Sequence, residues 1–200
     1  MTRFAVTVTV AMAALTVLAV VLISWSDDAS EERLLTADDF RTVGLRPISF
    51  AQEELRMPGG EIRRVYTAGL GPQSDASVEL RIGASRTAYA DQLAHETRAA
   101  SRPIENDSLN TIIEEQWGGT SAFVVRRVVA AGDDARLEVI LWALEGSSIV
   151  VVKVRMRGIP PSDRTERLHT AELQARGLGT LAVDHLIEMK ARRSERGSSQ

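Results

Sequence analysis

The chain has 200 residues, with 24 Lys and Arg against 27 Asp and Glu, a formal charge of −3 at neutral pH. So small a net charge excludes a polyelectrolyte role, and the absence of cysteine excludes disulfides, thiolate metal sites and a lipid-modified cysteine anchor. Four Phe, two Tyr and three Trp are too few rings for a single-strand stacking platform.

Phe4 to Trp25 is an unbroken apolar run with Arg3 just before it. Its length matches a bilayer's hydrocarbon core, which takes ~20 helical residues at ~1.5 Å each. Trp25 stands where an interfacial aromatic belongs. The leading reading of residues 1–25 is an uncleaved single-pass anchor. A cleaved secretory signal is the alternative, although Ser24-Trp25-Ser26 imitates the small-x-small cleavage pattern poorly. A buried helix of a soluble domain is the third reading and needs partners on every face. Arg3 and the amino terminus lie on the short side, and the first twenty residues after Trp25 offer only Arg33 and Arg41 as basic residues, which favours a cytoplasmic N-terminus and an exported body.

Residues 26–35 are a polar, acidic spacer, and 36–190 form the expected folded domain. Thr36-Ala37-Asp38-Asp39 has the S/T-x-x-D/E pattern of a helix start, with Phe40, Val43 and Leu45 as its apolar edge, ended by Gly44 and Pro47. Residues 48–56 and 61–69 read as strands joined by Met57-Pro58-Gly59-Gly60. Val78, Leu80 and Ile82 alternate with Glu79 and Arg81 as in a half-buried strand. Over 85–100 the period becomes helical, with Ser85 as cap and Tyr89, Leu93 and Thr97 on one face. Thr111–Trp117, Ser121–Ala130, Arg136–Leu144 and Ile149–Arg157 are β-rich runs separated by short polar links, the pattern of an antiparallel meander. In the last of them, Val150, Val152, Val154 and Met156 make one face and Lys153 and Arg155 the other. After Pro160-Pro161, Ser162 starts a helical segment with Leu168, Leu173, Leu178, Leu181, Leu186 and Met189 as core candidates. Gly177 and Gly179 are expected to interrupt or kink it, at about 1 kcal/mol each relative to alanine. Residues 191–200 read as a disordered tail.

The expected fold class is α+β: a transmembrane helix, then one domain with a largely antiparallel sheet of about six or seven strands packed with two or three helices. The order of two or three early strands, a helix, a four-strand meander around Trp117-Gly118-Gly119-Thr120 and a terminal helix resembles the Mog1/PsbP-like fold, over roughly residues 45–190. That resemblance implies the kind of exported or membrane-tethered bacterial protein in which the fold is widespread. It implies no particular role, since the fold hosts several unrelated ones.

No reactive constellation stands out. His95, His169 and His185 are far apart and lack H-E-x-x-H spacing. Glu53-Glu54 and Glu114-Glu115 sit in strands, where neighbours face opposite ways, and Asp133-Asp134 sits in a turn. There is no G-x-S-x-G elbow, no S-x-x-K and no phosphate-binding loop. Neither a cofactor nor a metal is expected. The basic residues are almost all arginine, Lys153 and Lys190 being the only lysines. With abundant alanine this marks a GC-rich genome, so Arg63-Arg64 and Arg126-Arg127 carry no weight as nucleic-acid contacts. Trp117, Gly118 and Gly119 are the candidate partner contact, because an aromatic beside a flexible turn can anchor an interface. The competing reading has Trp117 packed under the sheet edge and the glycines simply forming the turn. The function expected is that of a non-catalytic, membrane-tethered extracytoplasmic interaction or accessory domain of the bacterial envelope. It would touch the membrane through residues 4–25 and an envelope protein through its folded part. The alternative is an exported small-molecule or lipid-binding domain; an enzyme comes third. Oligomeric state is not legible.

Overall fold

In a computed structural model of the chain, residues 34–100, 109–117, 119–131 and 134–197 are described. The apolar run Phe4–Trp25, the spacer up to residue 33, Gly118 and residues 198–200 lie outside the described residues. No helix among the described residues is long and apolar enough to cross a membrane. Leu35–Gln200 forms a unit of its own, separate from Met1–Leu34.

The unit from Leu35 opens with α1 (Ala37–Thr42), where Asp39 Oδ2 accepts hydrogen bonds from the Thr36 backbone N–H at 2.7 Å and its hydroxyl at 2.9 Å. Strands β1 (Ser49–Arg56), β2 (Ile62–Gly71) and β3 (Ser74–Ile82) follow, then α2 (Arg86–Ala100). The meander is β4 (Leu109–Trp117), β5 (Thr120–Ala131), β6 (Asp134–Glu145) and β7 (Ser148–Ile159). A short 3-10 turn over Pro161–Asp163 leads into α3 (Arg164–Gly197). The fold is α+β, with a seven-stranded sheet in the order β1-β2-β3-β7-β6-β5-β4. Every neighbouring pair is antiparallel.

This order joins two meanders side by side. Helix α2 carries the chain from β3 to the far edge at β4, and the second meander returns until β7 pairs with β3, Val78 opposite Val152. Because side chains alternate along a strand, that seam fixes two continuous faces. One face holds Tyr66, Ala68, Val78, Leu80, Val139, Leu141, Val150, Val152 and Val154, all fully buried. Helices α3 and α1 cover it, through Gly179 against Leu141 and the Phe40–Phe50–Tyr66 ring series. The other face carries Phe123, Val125, Ile140, Trp142, Ile149 and Val151, with Tyr89 and Leu93 of α2 packed on them. Helices therefore cover both faces of the second meander.

Helix α2 departs from the expected stripe. Its buried residues are Tyr89 and Glu96, whereas Thr97 is exposed and bonds back to the Leu93 carbonyl at 2.8 Å. Glu96 takes the inward place because Arg127 of β5 reaches it at 2.5 Å. Helix α3 departs further. It runs unbroken through Gly177 and Gly179 and on to Gly197, past Lys190, where a loose tail was expected to begin. Its buried stripe is Ala171, Ala175, Leu178, Ala182, Val183 and Leu186, while Leu173, a core candidate by sequence, is 54% exposed. Small residues let the helix axis approach the sheet closely. A Cβ on Gly177 would stand 2.7 Å from Val43 Cγ1, and one on Gly179 would stand 2.8 Å from Leu141 Cδ2 and 3.2 Å from the Trp117 ring. Tertiary packing here outweighs the helix propensity lost to the two glycines. Gly179→Leu is expected to cost about 1–3 kcal/mol by overpacking. A urea midpoint unchanged from wild type would show that α3 can lift off without penalty.

Candidate functional site

The β4–β5 hairpin, which carries the predicted partner contact, lies at one edge of the sheet. Trp117 ends β4 and faces α3. Its indole Nε1 donates to Glu115 Oε2 at 2.9 Å, and its ring is the one that would meet a Cβ on Gly179. Trp117 is half-buried, held between the edge strand and the long helix, which is the packing the competing sequence reading describes. Gly119 has φ +108 with open space around it, so it serves the turn's backbone conformation and meets no neighbour. Gly118 is outside the described residues.

Glu114 and Glu115, adjacent in sequence, enter different surroundings. Glu115 also pairs with Arg176 of α3, which in turn lies 2.7 Å from Glu172. Glu172 is only 2% exposed and pairs with Arg126 at 2.5 Å. Two glutamates and two arginines thus close a neutral cluster between α3 and the sheet. The cluster is charge-balanced but not fully hydrogen-bonded: Arg126 Nε, Arg176 Nε and Glu172 Oε1 are buried without a hydrogen-bond partner.

On the opposite face, Arg127 lies between Glu96 and Glu138, and Arg155 between Glu138 and Asp75. Burial pushes the Glu138 carboxyl up, but hydrogen bonds from Arg155 at 2.9 Å and Arg127 at 3.1 Å, with their charges, more than offset it and hold it below 4.5. A depressed folded-state pKa contributes stability that is complete above the unfolded value and fades as pH falls through the folded one. Glu138→Gln is therefore expected to flatten the loss of stability below about pH 4.5 while lowering stability at neutral pH. Urea midpoints measured from pH 3 to 7 (a range of about four units around the carboxyl values) check this. Glu61 is held low in the same way, by Arg81 first, with burial opposing and Arg63 adding to it. The arginine pairs of the sequence are thus ion-paired within the fold: Arg63 with Glu61, Arg64 with Glu54, Arg126 with Glu172 and Arg127 with Glu96.

Glu114 points to the α2 face and borders a cleft of about 300 Å³ between α2 and the hairpin. Tyr89 and Leu93 come from the helix, Glu114, Glu115 and Gln116 from β4, and Ser121 and Ala122 from β5. Tyr89 is 7% exposed, its ring edge-on to Phe123 at 5.3 Å. Burial first, and the Glu114 charge second, push its phenol up to about 12, so it stays protonated. Gln116 Nε2 donates to Ser121 Oγ at 3.4 Å. Sequence reasoning missed this cleft. The helical stripe Tyr89–Leu93 and the strand parity of Glu114 and Gln116 were both readable, but not that α2 lies over this hairpin.

The histidines stay apart: His95 and His169 are exposed and His185 is half-buried, on two different helices. Among the described residues no group of three His, Asp or Glu converges to hold a metal. No protein-family model matches the chain, and no curated protein is significantly similar to it.

Proposed function

We propose that this chain is a non-catalytic interaction or accessory domain of the bacterial envelope, tethered to the plasma membrane by residues 4–25. Its N-terminus is cytoplasmic and its folded part lies outside the cytosol. The observation that carries the reading is the apolar run from Phe4 to Trp25, long enough to span and free of acids and bases. Three further observations support it. The folded unit begins within a few residues of the spacer's end. Its arginine pairs Arg63-Arg64 and Arg126-Arg127 are engaged in internal ion pairs and are not free to form a nucleic-acid contact. The element order, with the meander turning at Trp117, is the one on which the likeness to the Mog1/PsbP-like fold rests. Fractionation of cells tests the reading. The full-length chain should sediment with membranes, resist carbonate extraction, and lose its folded part to protease added to spheroplasts. A soluble cytosolic chain, or protection from external protease, would overturn it.

A second reading, an exported domain that binds a small molecule, is favoured by one observation: the cleft beside Tyr89. Its volume is at the low end of ligand sites, and the Glu114 carboxylate at its border suits a small polar ligand better than an acyl chain.

A further inference from the structure

The outermost strand of the first meander, β1, keeps one edge open. It pairs with β2 alone among the described residues, and seven of its eight residues are exposed. An open edge offers a row of backbone donors and acceptors to another strand. Which residues offer them follows from the β1–β2 turn. Met57 N–H donates to the Glu61 carbonyl at 2.8 Å. By antiparallel alternation, Glu53 and Leu55 then turn their backbone groups toward β2, and Glu54 and Arg56 turn theirs outward. The side chains alternate too. Glu54 and Arg56 share one face, where Arg64 Nε donates to Glu54 Oε2 at 2.8 Å and Arg56 Nε lies 3.6 Å from Glu54 Oε1. Leu55, 44% exposed, stands on the other face opposite Arg63. The edge thus reads acid, apolar, base, a pattern that is its own complement when reversed. Strand β4 at the opposite edge carries Glu114 and Glu115 and no base, so it has no such match.

We propose that β1 pairs antiparallel with β1 of a second copy of this chain, about a two-fold axis at Leu55. Backbone phase restricts the register, because outward-facing residues must meet outward-facing ones. Within that restriction, an axis at Glu53 or at Glu54 sets two like charges directly opposite, which is destabilising. An axis at Ala51 or at Gln52 gives neither glutamate a base. The axis at Leu55 places Glu54 opposite Arg56 of the second copy, twice by symmetry, and Leu55 opposite its own mate. Across the joined sheets one face then runs Arg64, Glu54 and Arg56 of the second copy, alternating in sign. Pro58, which has no N–H, stops the pairing after Met57. So short a contact makes a weak, reversible dimer.

The chain has no cysteine, so single cysteines report the pairing directly. The full-length chain in nonionic detergent micelles is oxidised with copper phenanthroline. Leu55→Cys is expected to give a disulfide dimer, because residues opposite each other at the axis fall within disulfide reach. Ala51→Cys, on the same face, should crosslink at least ~10-fold more slowly, since its mate lies roughly 26 Å away at ~3.3 Å per residue. Adding Arg56→Glu, at an exposed position, to Leu55→Cys sets acid against acid and should slow crosslinking at least ~3-fold. Mixing that chain with one carrying Glu54→Arg and Leu55→Cys should restore the rate, as a crosslink between the two chains, because an acidic edge then meets a basic one. If Glu54→Arg, which removes a partner of Arg64, fails to fold, the Arg56→Glu comparison decides. No Leu55→Cys dimer, equal rates for Leu55→Cys and Ala51→Cys, or a rate indifferent to Arg56→Glu would overturn the proposal. So would a Leu55→Cys adduct in cells with a different polypeptide and not with itself. None of these readings depends on where the chain resides, so failure here is distinguishable from failure of the membrane reading.

Discussion

Glu172→Ala is expected to lower stability by about 3–5 kcal/mol, the cost of breaking a buried ion pair by removing one partner. Glu172 is 2% exposed and stands between Arg126 and Arg176, so alanine leaves two half-buried guanidinium groups facing each other beneath α3. Glu115 can compensate only Arg176, which it already contacts. Glu172→Gln keeps the shape and some hydrogen bonding, and should lose less than alanine. The measurement is the urea midpoint of each variant at neutral pH, read with its slope to check that the transition stays two-state. A loss below about 1 kcal/mol would place Glu172 with ordinary surface pairs and contradict its burial. The unpaired Nε atoms of both arginines suggest a corollary. Replacing the whole cluster with apolar residues of similar volume should restore stability, because desolvation of the four charges is then avoided.

Phe123→Ala is expected to cost about 3–5 kcal/mol. Phe123 is fully buried and its ring links two others: Tyr89 edge-on at 5.3 Å and Trp142 stacked at 6.0 Å. Alanine there opens a cavity between α2 and the sheet, bounded by residues that cannot collapse into it without moving the helix. The loss should therefore be accompanied by faster amide exchange along α2 than along α3, which packs on the other face. Equal acceleration in both helices would show that Phe123 supports the sheet as a whole and not the α2 layer in particular. Since small domains have only ~5–15 kcal/mol to lose, each of these substitutions removes a large share.

Much of this architecture was legible residue by residue. Val150, Val152, Val154 and Met156 alternate with Lys153 and Arg155, and all four apolar residues are buried on one face. The meander followed from four β-rich runs with short polar links, and the turn at Met57-Pro58-Gly59-Gly60 from its residue types. Ser85 capped its helix as its position implied, its hydroxyl accepting from Ala88 N–H at 3.1 Å. Other features were not readable. Strand β3 starts at Ser74, ahead of the alternating Val78–Ile82, because Ser74 to Ser77 pair with Met156 to Lys153 of β7. Glu96 looks like a solvent residue until Arg127, 31 positions away, is brought beside it. Leu173 looked like core and Gly179 like a break. Instead α3 presents its small residues to the sheet and turns Leu173 outward. The hairpin at Trp117 drew attention for its aromatic and glycines, whereas the cleft lies on the opposite face of the same strands.

The order of strands and helices, the two faces of each strand and the apolar leader were determined by the sequence alone, because each rests on the spacing of neighbours within a few residues. The tertiary structure decided the β3–β7 seam, the face each helix covers, the partners of every buried arginine and the cleft beside Tyr89. These depend on contacts between residues tens of positions apart. Local periodicity says that a face will be buried, and only the assembled sheet says against what.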